Sequence, residues 1–288
     1  MEIKPGTLYV VGTPIGNLED MTFRAIQTLQ NVDLIASEDT RHSGKLLQHF
    51  QVKTPQISYH EHNSSSRVPE LLEKLTEGNA IALVSDAGMP GISDPGYELI
   101  KACVDAGVLV VPIPGVTAAI TALSASGLPT DKFVFEGFLP PKTHQRREQL
   151  EILKTESRTL IFYESPHRLR ATLQDFAELL GMERKIVLAR ELTKFYEQFW
   201  RGTIGDACKY YQEKEPQGEF TLVVAGLEAN KPQLSDEEIV VELKKIMSQK
   251  VSRSQASRQL ANLTKINRRH IYQIALAIEL ADADTEDI

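Results

Sequence analysis

Three short stretches gather carboxylates, hydroxyls and bases at spacings suited to proton transfer and anion binding. They read Ser37-Glu38-Asp39-Thr40-Arg41-His42, Tyr163-Glu164-Ser165-Pro166-His167-Arg168 and Arg190-Glu191-Leu192-Thr193-Lys194. Each follows a short apolar run, so each is expected at the end of a buried strand. A carboxylate held there can take a proton from a hydroxyl group, and a guanidinium such as that of Arg41 can clamp a phosphate. The plain alternative is a surface salt-bridge cluster for 37–42 and an inter-strand ion pair for Arg190 or Glu191. Ser165 and His167 do not make a nucleophile–base pair, because residues two apart at a helix start do not face each other.

Three further stretches are built from glycine and proline. Leu8-Tyr9-Val10-Val11 runs into Gly12-Thr13-Pro14-Ile15-Gly16-Asn17. A phosphate cradle needs backbone N–H groups aimed at the anion. Pro14 has none to give, the spacing is not G-x-G-x-x-G, and no Lys-Ser/Thr pair follows. The loop is expected either as an ordinary strand-to-helix turn or as the grip for a cofactor without a phosphate. Residues 86–96, DAGMPGISDPG, hold three glycines, two prolines and two carboxylates, a mixture that no helix or strand interior tolerates. Asp86 can accept a hydrogen bond from a ribose or an amine. Asp94 is expected to cap a helix that starts at Pro95, ahead of a ligand role. Pro114-Gly115-Val116-Thr117 reads as another strand-to-helix turn, with Thr117 as its cap.

Other chemistries find no support. The seven histidines show no H-E-x-x-H or comparable ligand spacing, so no metal site is expected. G-x-S-x-G is absent, which removes a hydrolase elbow. Cys103 and Cys208 are far apart and are read as incidental thiols of a reducing cytoplasm. No apolar run approaches a membrane span, and residues 1–5 carry no signal-peptide core. The net charge of −7 by itself gives no hint of nucleic acid, but the charge is unevenly spread.

The elements that must position these residues alternate. Strands are expected at 8–11, 32–36, 56–59, 80–84 and 108–112, with helices at 22–29, 66–76 and 95–106. A β–α series with short apolar strands implies a parallel sheet covered on both faces. Ligands of such sheets sit beyond the carboxyl ends of the strands, which is where the unusual loops fall. A second set of strands is expected at 133–137, 159–163, 185–189 and 220–225, with helices at 144–153 and 166–180, in a mixed or partly antiparallel sheet. A hinge is expected near 127–130. The domains are read as 1–118, 119–230 and 231–288.

The last part differs in charge. From 243 to 278 there are eight lysines or arginines and no acid. Ser252 to Gln255 can cap a helix carrying Ala256, Leu260 and Leu263. Asn267 can start another, with Ile271, Ile274, Ala275 and Ile278 on its apolar face. Arg268, Arg269 and His270 lead that second helix, a helix-turn-helix pattern whose basic start can face phosphate. A capping bundle with a solvated basic face is the alternative. The acidic end, 279–287, is expected to fray.

Taken in order, GTPIGNLEDMT, ASEDTRHS, SDAGMPGISDPG, PIPGVTAAITAL, FYESPHR and RELTK resemble the ribosomal RNA small subunit methyltransferase I group of the tetrapyrrole methylase family. The resemblance spans about residues 6–226. It implies a two-domain α/β class III methyltransferase fold, here with a C-terminal helical extension. It implies S-adenosylmethionine, which has no phosphate, bound in a cleft between the halves, and a homodimer. Tetrapyrrole enzymes of the family typically carry Gly-Gly-Asp-Pro where this chain has Asp86-Ala87-Gly88-Met89-Pro90. SEDTR and FYESPHR mark the RNA-modifying group, whose activity is 2′-O-methylation of a cytidine ribose in the decoding centre of small-subunit ribosomal RNA, naked or in the assembled subunit. By resemblance Pro14, Asp86, Gly88, Met89, Pro114, Val116 and Thr117 line the cofactor pocket, and Phe162, Leu192, Glu219 and Phe220 close it. Glu38, Asp39 and Glu164 are the candidate bases, with Ser165 beside the last. Arg41, Arg168 and Lys194 are the candidate phosphate anchors. Two other readings stay open: a small-molecule methyltransferase of the tetrapyrrole type, and a non-catalytic protein binding ribosomal RNA or the ribosome.

Overall fold

The computed structural model describes residues 2–227, 234–249, 251–264 and 266–283, and the chain divides into two compact units, residues 1–227 and 228–288. The first unit opens with β1 (Thr7–Val11), α1 (Phe23–Asn31), β2 (Leu34–Ser37), α2 (Thr40–His49), β3 (Gln56–Ser58), α3 (Ser64–Thr76), β4 (Ile81–Val84), α4 (Tyr97–Asp105) and β5 (Leu109–Ile113). All five strands are parallel, in the order β3-β2-β4-β1-β5. Both faces are buried, as expected for parallel strands. Tyr9, Val11, Ala82 and Val84 pack with Leu29 of α1 and Leu47 of α2. The alternate residues Leu8, Val10, Ile81 and Leu83 pack with Leu71 and Leu75 of α3 and Leu99 of α4.

The chain continues through α5 (Ala118–Ser126), β6 (Phe133–Phe138), α6 (Thr143–Leu153), β7 (Thr159–Glu164), α7 (Pro166–Leu179), β8 (Lys185–Arg190), β9 (Gln198–Thr203), α8 (Ile204–Glu213) and β10 (Phe220–Val224). The second sheet has the order β6-β7-β10-β8-β9. Only β6 and β7 are parallel; the remaining pairs are antiparallel, the mixed sheet expected. One face packs under α6, α7 and α8, around Leu150, Phe176, Leu188 and Ala207. The other packs under α5, where Ala119, Ala122 and Leu123 meet Ile161, Val187 and Val223. Among the described residues no helix is long and apolar enough to cross a membrane.

Several expectations need correction. The helix expected from Pro95 starts at Tyr97, and its N-cap is Gly96 rather than Asp94. Gly96 has φ +149°, and a Cβ there would stand 2.9 Å from Gly91 N, so this turn cannot be helical. The chain reaches the second sheet at 114–117, before the hinge expected at 127–130, because α5 already packs on that sheet. Gly127, with φ +79°, ends α5 as a left-handed cap. The helices α2 and α8 and the edge strand β9 were not foreseen, and α5 was foreseen only through its starting turn at 114–117 with Thr117 as N-cap. In α5, AAITALSAS, nearly every face is apolar or small, so no helical period shows.

The second unit holds α9 (Asp236–Met247), also unforeseen, α10 (Arg253–Thr264) and α11 (Arg268–Ala283). They bury Ile239, Leu243, Ala256, Leu260, Ile271, Ala275 and Ile278. Leu263, expected in that core, is 78% exposed in the last turn of α10, and Ile266 of the following turn packs there instead. Residues 279–283, expected to fray, continue α11; the remainder of that expectation, 284–287, lies outside the described residues. The expected cap is present: Ser252 Oγ accepts from Gln255 N at 3.3 Å and donates to Gln255 Oε1 at 3.0 Å. Ser252→Ala is expected to destabilise this unit by about 1 kcal/mol, read as faster hydrogen exchange confined to 253–264.

Candidate functional site

The loops after β1, β4 and β5 are pinned to one another at the carboxyl ends of the three neighbouring strands. Thr13 and Gly88 form a two-bond antiparallel bridge, N to O 2.9 Å and 3.1 Å. Thr13 Oγ1 also donates to Ser85 O at 3.2 Å. Gly12 N donates to Ile113 O at 3.1 Å. A Cβ on Gly12 would lie 2.8 Å from Gly115 Cα and 2.7 Å from Met89 Sδ, and a Cβ on Gly115 would lie 2.9 Å from Gly12 Cα. The glycines that resemble a phosphate loop therefore serve the close passage of two backbones.

The second sheet supplies the opposite wall. Because β10 runs antiparallel to β7 and β8, its first residue, Phe220, pairs with Glu164 at the end of β7 and Arg190 at the end of β8. Three stretches distant in sequence thus converge at one sheet end. Tyr163 spans the gap: its hydroxyl accepts from Ala119 N at 3.2 Å, at the start of α5. Its ring meets Phe135 and Phe138 edge-on, with centroids 5.0 Å and 5.5 Å away.

Between the walls lies a cavity of about 290 Å³. Its apolar lining includes Ile15, Met89, Ala118, Leu192 and Phe220. Among the described residues its charged lining is Asp94, Glu164 and Glu219, with no lysine or arginine. That lining repels a phosphate and suits a cationic, phosphate-free ligand. A second, larger cavity of about 640 Å³ lies beside Glu38, Tyr59, His60 and residues 91–98.

Of the residues expected to grip a cofactor, Gly88, Met89, Thr117, Leu192, Glu219 and Phe220 line the first cavity. Pro14, Asp86, Pro114 and Val116 do not; they belong to the loops that carry its wall. Asp86 instead ties β4 to β2: its Oδ1 accepts from Asp39 N at 3.1 Å, and its N donates to Glu38 Oε2 at 3.2 Å. Phe162 is fully buried against Phe176, because strand alternation turns Tyr163 and not Phe162 to the cavity.

The expected bases and anchors are dispersed. Glu164 and Ser165 line the first cavity, but Glu164 is only 2% exposed and already engaged. Its Oε2 accepts from Thr172 Oγ1 at 2.5 Å and its Oε1 from Ser165 N at 2.8 Å. Glu38 lines the second cavity, and burial pushes its carboxyl up, with Asp86 and Asp39 adding to the rise. Asp39 caps α2, and hydrogen bonds from Arg41 hold its carboxyl far below the usual range. Arg41 is itself on the surface. Arg168 donates to Leu139 O at 2.6 Å. Lys194 bridges Glu191 at 3.0 Å and Glu219 at 2.9 Å, and packs on Gly16, where a Cβ would clash with its stem.

Sequence reasoning missed Ile15, Tyr163, Phe138 and Ser93 as cavity residues and put a ligand role for Asp94 second to a helix cap. For Asp94 the misleading signal was the following proline. Burial, and then the charge of Glu38, push its carboxyl up to about 6.

The family model for tetrapyrrole (corrin/porphyrin) methylases matches residues 7–208. A Synechocystis sp. protein named ribosomal RNA small subunit methyltransferase I is 59% identical over 275 residues, 95% of this chain and 99% of that protein. An Escherichia coli O157:H7 protein of the same name is 53% identical over 231 residues, 80% of this chain and 81% of that one. The fold is shared with uroporphyrin-III C-methyltransferase of Thermus thermophilus, solved in complex with S-adenyl homocysteine. That likeness has TM-score 0.54 and 16% identity, and covers 76% of this chain and 96% of that one.

Proposed function

The chain belongs to the tetrapyrrole (corrin/porphyrin) methylase family and, within it, to the ribosomal RNA small subunit methyltransferase I group, and on that premise we propose that it methylates a ribose 2′-hydroxyl of small-subunit ribosomal RNA. The acceptor is a cytidine of the decoding centre. The observation that carries the choice of S-adenosylmethionine is the cavity itself, apolar, bordered by three carboxylates and no cation. S-adenosylmethionine supplies an electrophilic methyl group on a positively charged sulfur. Met89, Leu192 and Phe220 would shield it from water, and Glu164 and Glu219 complement its charge. Thr117 and Ala118 bring the start of α5 to the same wall.

The helical unit supports an RNA acceptor. Arg258 and Arg269 lie on its surface, and Arg268 donates to Ser254 Oγ at 3.1 Å across the α10–α11 turn. The enzyme is read as cytoplasmic and as a homodimer, and light scattering checks the dimer.

The test is transfer of labelled methyl from S-adenosylmethionine to naked small-subunit RNA, assembled small subunits and a tetrapyrrole, with mapping of the product. One labelled cytidine ribose is the expected result. Label on the tetrapyrrole alone would assign the chain to the small-molecule branch.

A further inference from the structure

Ser93 and Asp94 are the two residues that belong to the walls of both cavities. Ser93 has φ +61°, a conformation that side-chain-bearing residues rarely adopt. Its Oγ lies 3.0 Å from where a Cβ on Gly137 of β6 would stand, so this turn reaches the second sheet. Asp94 is thereby held at the junction of the two spaces.

An acceptor must approach the methyl group from a side that the cofactor does not fill, and the second cavity adjoins the first at that junction. His60, His62 and Tyr97 line it with rings that can flank a nucleobase. Glu38, Glu61 and Glu98 line it with carboxylates, which accept from the exocyclic amino group of cytosine and repel the carbonyl that uracil has there. The other acids are less suitably placed. Glu164 is saturated by Thr172 and Ser165, Asp39 is paired with Arg41, and Glu38 touches the second cavity alone.

Resting on the ribose-methylation reading above, we propose that the second cavity seats the acceptor nucleotide and that Asp94 takes the proton of its 2′-hydroxyl. As the bond from O2′ to the methyl carbon forms, the O2′ proton passes to an Asp94 carboxylate oxygen. The bond from the methyl carbon to sulfur breaks, and its electron pair stays on sulfur. Asp94 then loses the proton to solvent. A carboxyl at about 6 is ionised at neutral pH yet more basic than an ordinary aspartate, which suits that role. The groups around it are Glu38 and Asp86 from the ends of β2 and β4, and Ser85, which hydrogen-bonds its carboxyl. Tyr163 and Glu164 line the first cavity, and His60, Glu61, His62, Tyr97 and Glu98 the second.

Asp94→Asn is expected to lower kcat by about 100–10,000-fold while calorimetric affinity for S-adenosylmethionine stays within about twofold, and Asp94→Glu to restore part of the rate. The wild-type acid limb of kcat/KM near pH 6 is expected to vanish in Asp94→Asn. A kcat within about threefold of wild type, or an intact acid limb, overturns the role of Asp94. His62→Trp, on an exposed side chain, narrows the second cavity. It is expected to weaken cofactor-free binding of a ribosomal RNA fragment containing the acceptor, read by fluorescence anisotropy, by about tenfold or more. Unchanged fragment affinity overturns the acceptor cavity. The wild-type labelling experiment keeps the two readings apart. If wild type labels no ribose, ribose methylation itself fails. If wild type labels the ribose and Asp94→Asn does so equally, only the role of Asp94 fails.

Discussion

Gly115→Ala is expected to weaken binding of S-adenosylmethionine by about 10–100-fold and to lower stability by about 1–3 kcal/mol, the usual range for overpacking a close contact. The new methyl would meet backbone on the opposite side, 2.9 Å from both Gly12 C and Gly12 Cα. Backbone cannot rotate away as a side chain can. Relief requires the β1 and β5 loops to part. The β1 loop is tied to the β4 loop through the Thr13–Gly88 bridge, so the displacement passes to Gly88 and Met89 in the cavity wall. Gly44→Ala is the contrasting change. Gly44 lies inside α2, and a Cβ there meets only Gln56 Nε2 at 3.7 Å. That variant is expected to gain up to about 1 kcal/mol from helix propensity and to bind normally. Calorimetry and thermal melts of both variants decide it. Wild-type affinity in Gly115→Ala would show that the loops are not held by this contact.

Glu164→Ala is expected to destabilise the first unit by about 3–5 kcal/mol, the range for removing one partner of a buried charge network. In a unit of this size that lowers Tm by about 6–20 °C. The carboxylate organises the turn from β7 into α7, holding Thr172 of α7, the N–H of Ser165 and, at 3.4 Å, Nε of Arg168. Removal leaves the Arg168 guanidinium without its counter-charge at the edge of the cavity. Glu164→Gln separates architecture from proton transfer. An amide retains an acceptor for Ser165 N or Thr172 Oγ1, so this variant is expected to keep most of the stability and a rate within about tenfold of wild type. If the glutamine variant is well folded yet as inactive as the alanine variant, Glu164 acts as a base.

The division between what was legible in the chain and what was not follows the range of the interactions involved. The parallel sheet was visible because most of its strands are short apolar runs, and β1, β4 and β5 end in glycine- or proline-bearing turns, both local signals. The mixed second sheet was legible for the same reason. The unsuitability of GTPIGN for a phosphate was also readable from Pro14 alone, since a missing N–H is a property of one residue. Of helix α5 only the starting turn was legible, because a segment apolar on nearly every side shows no period, and β9 was hidden because an edge strand has one neighbour to satisfy.

The site needed the tertiary structure. Phe162 and Tyr163 are adjacent and both aromatic, and only the packing of α7 against one sheet face decides which turns to the cavity. Glu38, Asp39 and Glu164 looked alike as strand-end acids. Helix capping claims Asp39, a buried network claims Glu164, and Glu38 faces a different space. Asp94 lay before a proline, where local rules assign a helix cap. Instead, Gly96 has φ +149°, outside helical space, so the helix starts only at Tyr97 and Asp94 stands in the wall between two cavities. Residue types and their order identified the family and its cofactor chemistry, because those reside in short motifs. Which side chain faces which cavity depends on contacts between residues far apart in the chain, and no local pattern encodes them.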